Sequence, residues 1–369
     1  MKRIILVVTS IVMLMFIYNK SEAFASEDVN LYDFEDIDGV VEEESEESFS
    51  ELFKELMKGD SEGVFARMFS LMADKLFGEI VFNKNIVMKI ILLAISTSLL
   101  SKITVVFSKS KMSDMGFFAV FSLLMVLLVG AFAVNVSVVT DVLGLLIKFM
   151  KVLIPAFFLA VGAASGISAS LGMYEIALIS IMAVEYIVIN FVVPAVSVYV
   201  IILILNNVLE EDYLSKFAGV IETIIEWAIK MIPTVAIGIN MIASIVLPSV
   251  DYAKSKGYRK LFGLIPGIGG SVDSFMEIVT GSSTLIKNCI GGTALIFIVV
   301  LIMIPVVKLL VSCLMYKITA AIIQPISDKR VTSSVEVMAK GTNMLYKIVL
   351  SCGLMFFLTV GIVCLGTGR

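Results

Sequence analysis

The residues of this sequence that could do chemistry are a few polar side chains within or beside long apolar runs. Glu185 lies well inside such a run, where a carboxylate must be protonated, paired or hydrated. Asp273 and Glu277 have the i, i+4 spacing that places two residues on one helix face, and Lys287 and Asn288 follow about three turns later. We predict these five as candidate conduit or partner-contact residues, with a hydrogen bond between helices as the alternative for Glu185.

Other kinds of site are excluded by residue type. The sequence contains no histidine, and its four cysteines are scattered without metal-ligand spacing. It also lacks a phosphate-binding loop, a dinucleotide fingerprint and a basic aromatic patch for nucleic acid. We therefore predict no catalytic residues, no metal, no cofactor and no nucleic-acid partner, and any ATP-driven step would need a motor on another chain.

Composition indicates the fold class. Of the 369 residues, 59% are hydrophobic and 16% are charged, and the mean hydropathy is +1.02. These values lie far outside the range of soluble domains. We predict an all-α, polytopic membrane protein that contacts lipid.

The N-terminal region divides into three predicted parts. Residues 1–25 have the basic start, short apolar run and Ala-Phe-Ala ending of a signal peptide cleaved after Ala25, although an uncleaved anchor is the alternative. Residues 26–48 form an acidic linker of disordered type. Residues 49–85 have apolar positions at helical spacing and predict extracytoplasmic amphipathic helices, which would dock on lipid, on the membrane portion or on another protein.

Residues 86–369 form the predicted membrane domain, with about seven spans, although six to eight are equally defensible. We place the spans at Ile86–Phe107, Gly116–Val138, Val152–Leu171, Ile176–Leu205, Thr234–Val250, Ile290–Leu314 and Tyr346–Leu365.

Two segments of this domain depart from a simple span. The overlong run from Ile176 to Leu205 contains Asn190 and Pro194, so we expect a steep tilt or a break. The segment from Tyr213 to Ile232 carries Glu222, Glu226 and Lys230 on one stripe opposite apolar residues, which predicts an interfacial or groove-lining helix.

A glycine-rich turn precedes Asp273. Pro266, Gly267, Gly269 and Gly270 should prevent a helix from starting before about Ser271, and Gly291 with Gly292 should break the pattern again. The Ile265-Pro266 turn also echoes Ile154-Pro155, about 111 residues earlier, so a parallel internal repeat is one interpretation and chance is the other.

Two motifs carry a family resemblance. The first is Ile265-Pro266-Gly267-Ile268-Gly269-Gly270-Ser271-Val272-Asp273, followed by Leu285-Ile286-Lys287-Asn288. The second and more specific is the loop Gln324-Pro325-Ile326-Ser327-Asp328-Lys329-Arg330. Together they resemble the stage III sporulation protein AE family of endospore-forming Firmicutes, and the resemblance extends over the signal peptide and the membrane region.

This resemblance implies a multi-pass protein of the outer forespore membrane, made in the mother cell. It would be a non-enzymatic component of the channel between mother cell and forespore, lining or scaffolding a transport conduit. Its implied partners are other proteins of the same operon, including a secretion-type ATPase and ring-forming proteins, and a forespore-side channel protein. A self-contained secondary transporter is the alternative. The sequence leaves open the cargo, the stoichiometry and the topology after residue 265.

Overall fold

The computed structural model describes the backbone of residues 87–96, 111–165, 167–208, 212–262 and 269–366, and of positions 39 and 99. Side chains are described over 87–96, 118–162, 170–208, 212–247 and 286–364, and at positions 39, 99 and 116. The predicted signal peptide, acidic linker and amphipathic helices of residues 49–85 lie outside these ranges, apart from position 39.

Helices account for nearly all of the described backbone, and no strand occurs in it. The all-α prediction is therefore confirmed for this part of the chain. The helices are α1 (Val87–Ser96), α2 (Lys111–Ser165), α3 (Ile167–Ile187), a π-helical turn (Val188–Val192), α4 (Val193–Val208), α5 (Ser215–Phe262), α6 (Gly269–Ile323) and α7 (Lys329–Gly366).

Five of these helical stretches are long and apolar enough to cross a membrane, counting only described residues. They are Phe118–Gly162, Ser170–Val208, Ser215–Leu247, Ile286–Ile323 and Lys329–Cys364. At 1.5 Å per residue even the shortest exceeds the thickness of about 30 Å of a hydrocarbon core. The predicted number of seven is not confirmed, and half of the predicted first span lies outside the described residues.

Two predicted interruptions are wrong because charged residues do not end a helix. The expected span at 116–138 and the greater part of the one at 152–171 are joined in α2, which ends at Ser165, and Asp141, Lys148 and Lys151 project from the helix surface while the backbone hydrogen bonds continue. The segment Tyr213–Ile232, expected to be an interfacial or groove-lining helix, likewise continues without a break into the next predicted span, within α5. The first junction contains no proline, whereas the second contains Pro233 and α5 runs through it.

The overlong run around Pro194 is continuous, and a π-helical turn accommodates the proline. The turn covers Val188–Val192 and includes Asn190, and the backbone N–H of Val193 donates to the carbonyl of Val188. Because proline lacks an N–H and its ring crowds the preceding turn, a locally wider turn relieves the conflict without breaking the helix.

The predicted helix break at Gly291 and Gly292 is also wrong, since α6 runs through both residues. A Cβ atom at Gly291 would collide with Cys364 Sγ and lie 3.1 Å from the ring of Phe157. Glycine is therefore used here for close approach between α6, α7 and α2, as is common between membrane helices. At the N-terminal end of the glycine-rich segment, α6 begins at Gly269, two residues before the predicted start.

Helix α7 lies at the centre of the bundle and packs against α6, α5, α2 and α4. The end at which α6 and α7 are joined, called the hairpin end, also holds the end of α4, because Asn207 hydrogen-bonds Ser334 there. At the far end, the last turn of α7 lies beside Lys287 of α6. Buried apolar side chains form one core cluster that extends between these ends.

Candidate functional site

The polar stripe of α5 lies in a groove beside α4 and α7, where Glu222 and Glu226 are half-buried and Lys230 is exposed. Opposite it, Ile224 and Trp227 are 59% and 63% exposed, so the apolar side of this helix is the side that meets lipid. Glu222 and Glu226 point instead toward α4 and α7. The amphipathic pattern predicted from the sequence is real, but its polar side belongs to a groove and not to the water interface.

Two hydrogen-bonded contacts anchor this stripe. The Tyr199 hydroxyl of α4, on a side chain only 1% exposed, donates to Glu222 Oε2 at 3.0 Å. Lys347 Nζ of α7 donates to Glu226 Oε1 at 3.3 Å, which makes an ion pair between helices. Both carboxylates are thus held by residues far away in the sequence.

Helix α7 contributes a second stripe beside the first. Glu336, Lys340, Asn343 and Lys347 follow one another at spacings of four, three and four, which places them on one helix face. Glu336 and Lys340 are exposed, and neither side chain makes a hydrogen bond or ion pair in the part of the chain that the structure describes. We call Glu222, Glu226 and Lys230 of α5 and these four residues of α7 the polar seam.

The polar seam brings charges of both signs into helices that are long and apolar enough to span a membrane. A charged side chain at the centre of a membrane helix costs about 2.5–3.5 kcal/mol on insertion scales, so such groups pair or contact water. The seam is suited to binding or passing polar solutes, or to binding charged groups of another protein. Among the described residues, no three His, Cys, Asp or Glu side chains are grouped to hold a metal.

Glu185, a predicted conduit residue, is engaged in an ion pair outside the seam. Its Oε2 lies 3.5 Å from Lys151 Nζ, and the two side chains are 29% and 44% exposed. The contact joins α3 to α2. This is close to the structural alternative predicted for Glu185, with an ion pair in place of a hydrogen bond.

Lys287 lies at the far end of the bundle, completely buried. Its Nζ donates to the carbonyl oxygen of Cys364 at 3.2 Å, in the last turns of α7. Lysine at a helix C-terminus satisfies a carbonyl that has no partner within its own helix. Asn288 beside it is half-buried. The structure therefore gives Lys287 a contact that holds α6 against α7.

The other residues of the glycine-rich motif are described only in part. Asp273 and Glu277 lie in α6, in the same helix as Lys287, but their side chains are outside the described residues. Pro266 and Gly267 lie outside them altogether, while Gly269 and Gly270 are the first two residues of α6.

The second motif is the turn that joins α6 to α7. Gln324, Pro325 and Ile326 form a turn, and Asp328 is the N-cap of α7, because its Oδ1 accepts a hydrogen bond of 2.8 Å from the backbone N–H of Arg330. Lys329 is the first residue of α7. An aspartate at the N-cap satisfies an otherwise unpaired N–H and complements the helix dipole, which explains this part of the motif locally.

A second polar connection lies at the hairpin end. Asn206 Nδ2 donates to Asp212 Oδ1 at 2.9 Å, and the Ser215 hydroxyl donates to Asp212 Oδ2 at 2.7 Å. These hydrogen bonds hold the pKa of the Asp212 carboxyl below its usual value, and the hydrogen bond from Ser215 has the largest effect. Asp212 thereby fixes the entry into α5.

Tyr199 and the α7 half of the polar seam were not predicted as site residues. The predicted last span began at Tyr346, whereas the helix begins at Lys329 and includes Glu336 and Lys340. The four-three-four spacing from Glu336 to Lys347 was the available signal. Nothing in the sequence marks Tyr199, since a lone tyrosine in an apolar run has many possible partners.

These features define a multi-pass helical membrane protein with a charged seam among its spans. The family model of stage III sporulation protein AE matches residues 47–367, and this chain belongs to that family. It is 24% identical over 290 residues to the stage III sporulation protein AE of Bacillus subtilis (strain 168). The aligned residues cover 78% of this chain and 72% of the relative. No solved structure matches the chain. The family predicted from the sequence motifs is confirmed, and with it a role in sporulation.

Proposed function

We propose that this protein is a non-enzymatic component of a channel complex between mother cell and forespore, located in the outer forespore membrane. In that complex it lines or scaffolds the transport conduit. Its partners would be the other stage III operon proteins, including a secretion-type ATPase and ring-forming proteins, and a forespore-side channel protein. The observation that carries the proposal is the polar seam, in which charged residues meet on one side of two membrane helices.

The seam supports a channel role because charged side chains in membrane helices are energetically unfavourable, so their presence indicates a functional requirement. Glu226 and Lys347 remain 42% and 37% exposed in their ion pair, so they are accessible from outside the bundle. Glu336 and Lys340 are exposed without a partner within the described chain. Such groups need water or a polar partner protein, and a channel complex supplies both.

A deletion strain tests the proposal. Loss of the gene should leave engulfment intact and abolish a late forespore reporter, and a fluorescent fusion should mark the membrane around the forespore. The triple variant Glu222→Gln, Glu226→Gln, Glu336→Gln should localise normally but fail to restore the reporter. Lys148→Gln, an exposed charge on α2, is the matched control and should restore it. A normal reporter in the deletion strain would refute the channel function.

A self-contained secondary transporter is the second candidate, favoured by the buried Tyr199–Glu222 hydrogen bond between membrane helices. Carboxylates held in this way are typical of ion-coupled transporters. The two functions differ in reconstitution. A transporter should move a solute in vesicles when it is the sole protein, whereas a channel component should be inert until its partners are added.

A further inference from the structure

A single copy of this chain has a packed interior. Leu124, Leu146, Leu153 and Val349 are among the fully buried apolar side chains that fill the bundle along its length. A small cavity between the π-helical turn, α5 and α7 is lined mainly by aliphatic side chains, with Ser351 and Cys352 at one side. Within the described residues a hydrated passage therefore has no room inside one bundle, and it would have to lie between chains.

The described residues offer a polar face for such a passage on α7. The outward face of α7 carries the four α7 residues of the polar seam, whereas Ser333 before them hydrogen-bonds Asn207 of α4 and Ser351 after them lines the small cavity. These four residues are spaced four, three and four apart, so they form a straight stripe along the helix. From Glu336 to Lys347 the stripe is about 16 Å long at 1.5 Å per residue, roughly half the thickness of about 30 Å of a hydrocarbon core.

The two helices packed against α7 on either side of the seam expose apolar side chains to the outside of the bundle. On α5, Ile224 and Trp227 are exposed, and on α6, Leu314 and Ile318 are 53% and 45% exposed. These flanks can meet lipid or the flank of another bundle, but the charged stripe between them cannot face acyl chains without a large cost.

From these observations we propose that several copies of this chain assemble side by side around the α7 stripe, so that the stripe lines a hydrated passage between them. The inference rests on the proposed channel function and names the surface that performs it. Copies inserted with one topology keep their α7 helices parallel and their stripes at equal depth. Glu336 of one copy then lies about one helical turn from the level of Lys340 in its neighbour, so the stripe is complementary to itself.

Cysteine labelling in sporulating cells with all partners present tests this surface. Lys340→Cys and Asn343→Cys report on the stripe, while Ile224→Cys and Leu314→Cys report on the apolar flanks. The unsubstituted chain is the blank, because three of its four native thiols are buried and Cys289 is half-buried. With a membrane-impermeant maleimide, the stripe positions should react about tenfold faster or more than the flank positions, since the reagent needs a hydrated thiolate.

Co-expression of two differently tagged copies tests the assembly. Each tag should recover the other copy from solubilised membranes, and Glu336→Lys should reduce this recovery. Glu336→Lys with Lys340→Glu should restore recovery, because the exchanged charges remain complementary.

Stripe thiols as protected as the flank thiols, or tagged copies that never co-purify, would overturn the inference. If the labelling or co-purification fails but the late forespore reporter still depends on the gene, the proposed channel function is retained. A reporter indifferent to the gene would remove the function itself, so the two failures are distinguishable.

Discussion

Gly353→Ala should destabilise the contact between α7 and α6. A Cβ atom at this position would collide with Ile302 Cδ1 and would lie 2.6 Å from Cγ1 and 3.1 Å from Cγ2. Three atoms of one branched side chain are in the way, and Ile302 is only 6% exposed. Rotation of the side-chain end therefore cannot relieve the overlap, and the two helices must move apart or accept strain.

The size of the destabilisation by Gly353→Ala can be worked out by comparison with a matched control on the same helix. No atom lies within 4 Å of the place that a Cβ atom would take at Gly361, so Gly361→Ala adds a methyl group to open space. Alanine gains about 1 kcal/mol in helix propensity over glycine in both variants, and this gain cancels in the comparison. The difference between the variants is then the overpacking strain of about 1–3 kcal/mol. A value of about 2 kcal/mol corresponds to roughly a 30-fold change in the folding equilibrium.

Reversible unfolding in mixed detergent micelles measures this difference. Ile302→Val removes the Cδ1 atom and should cost about 0.5–1.5 kcal/mol in the wild-type chain. In the Gly353→Ala chain the same change should cost less or become favourable, because it removes the atom that collides. If the two alanine variants are equally stable, or if Ile302→Val costs the same in both backgrounds, the packing explanation is refuted.

Three further predictions concern polar contacts. Lys347→Met should destabilise the protein by leaving the Glu226 carboxylate without its ammonium partner, and a double-mutant cycle with Glu226→Gln should give a coupling near 0.6 kcal/mol, the average for polar pairs between membrane helices; zero coupling in detergent unfolding would argue against the contact. Asp328→Ala should cost about 1 kcal/mol through the lost N-cap, and Asp328→Asn should cost less because it keeps an acceptor oxygen; equal losses in thermal unfolding would contradict the cap. The Ser215 hydrogen bond holds the pKa of Asp212 below its ordinary value of 3.8, so the stability that Asp212 contributes is present above that value and is lost as the pH falls through the lowered folded-state pKa. Ser215→Ala should shift this loss to higher pH in unfolding curves recorded from neutral to acidic pH, and an unchanged midpoint would contradict the assignment.

Much of the fold could be predicted because hydropathy and helix formation are properties of local sequence. Apolar runs longer than a bilayer must form helices, since lipid offers no partner for backbone N–H and C=O groups. The start of α6 at Gly269, two residues from the predicted Ser271, followed similarly from glycine and proline chemistry. Span boundaries were less predictable, since charged positions such as Asp141 and Lys148 look like breaks in hydropathy but leave the helix of α2 intact.

The sequence by itself determined the class of protein, its helical structure, its family and the presence of a charged stripe at Glu222 and Glu226. Only the tertiary structure decided which way that stripe faces. An amphipathic helix satisfies the same periodicity with its polar side toward water or toward a polar neighbour. The choice depends on Lys347, which lies 121 residues away in the chain and donates to Glu226 across the bundle. Because lipid surrounds the outside of a membrane bundle, the apolar side of α5 faces outward, and the charges that a soluble protein would expose are turned toward the seam.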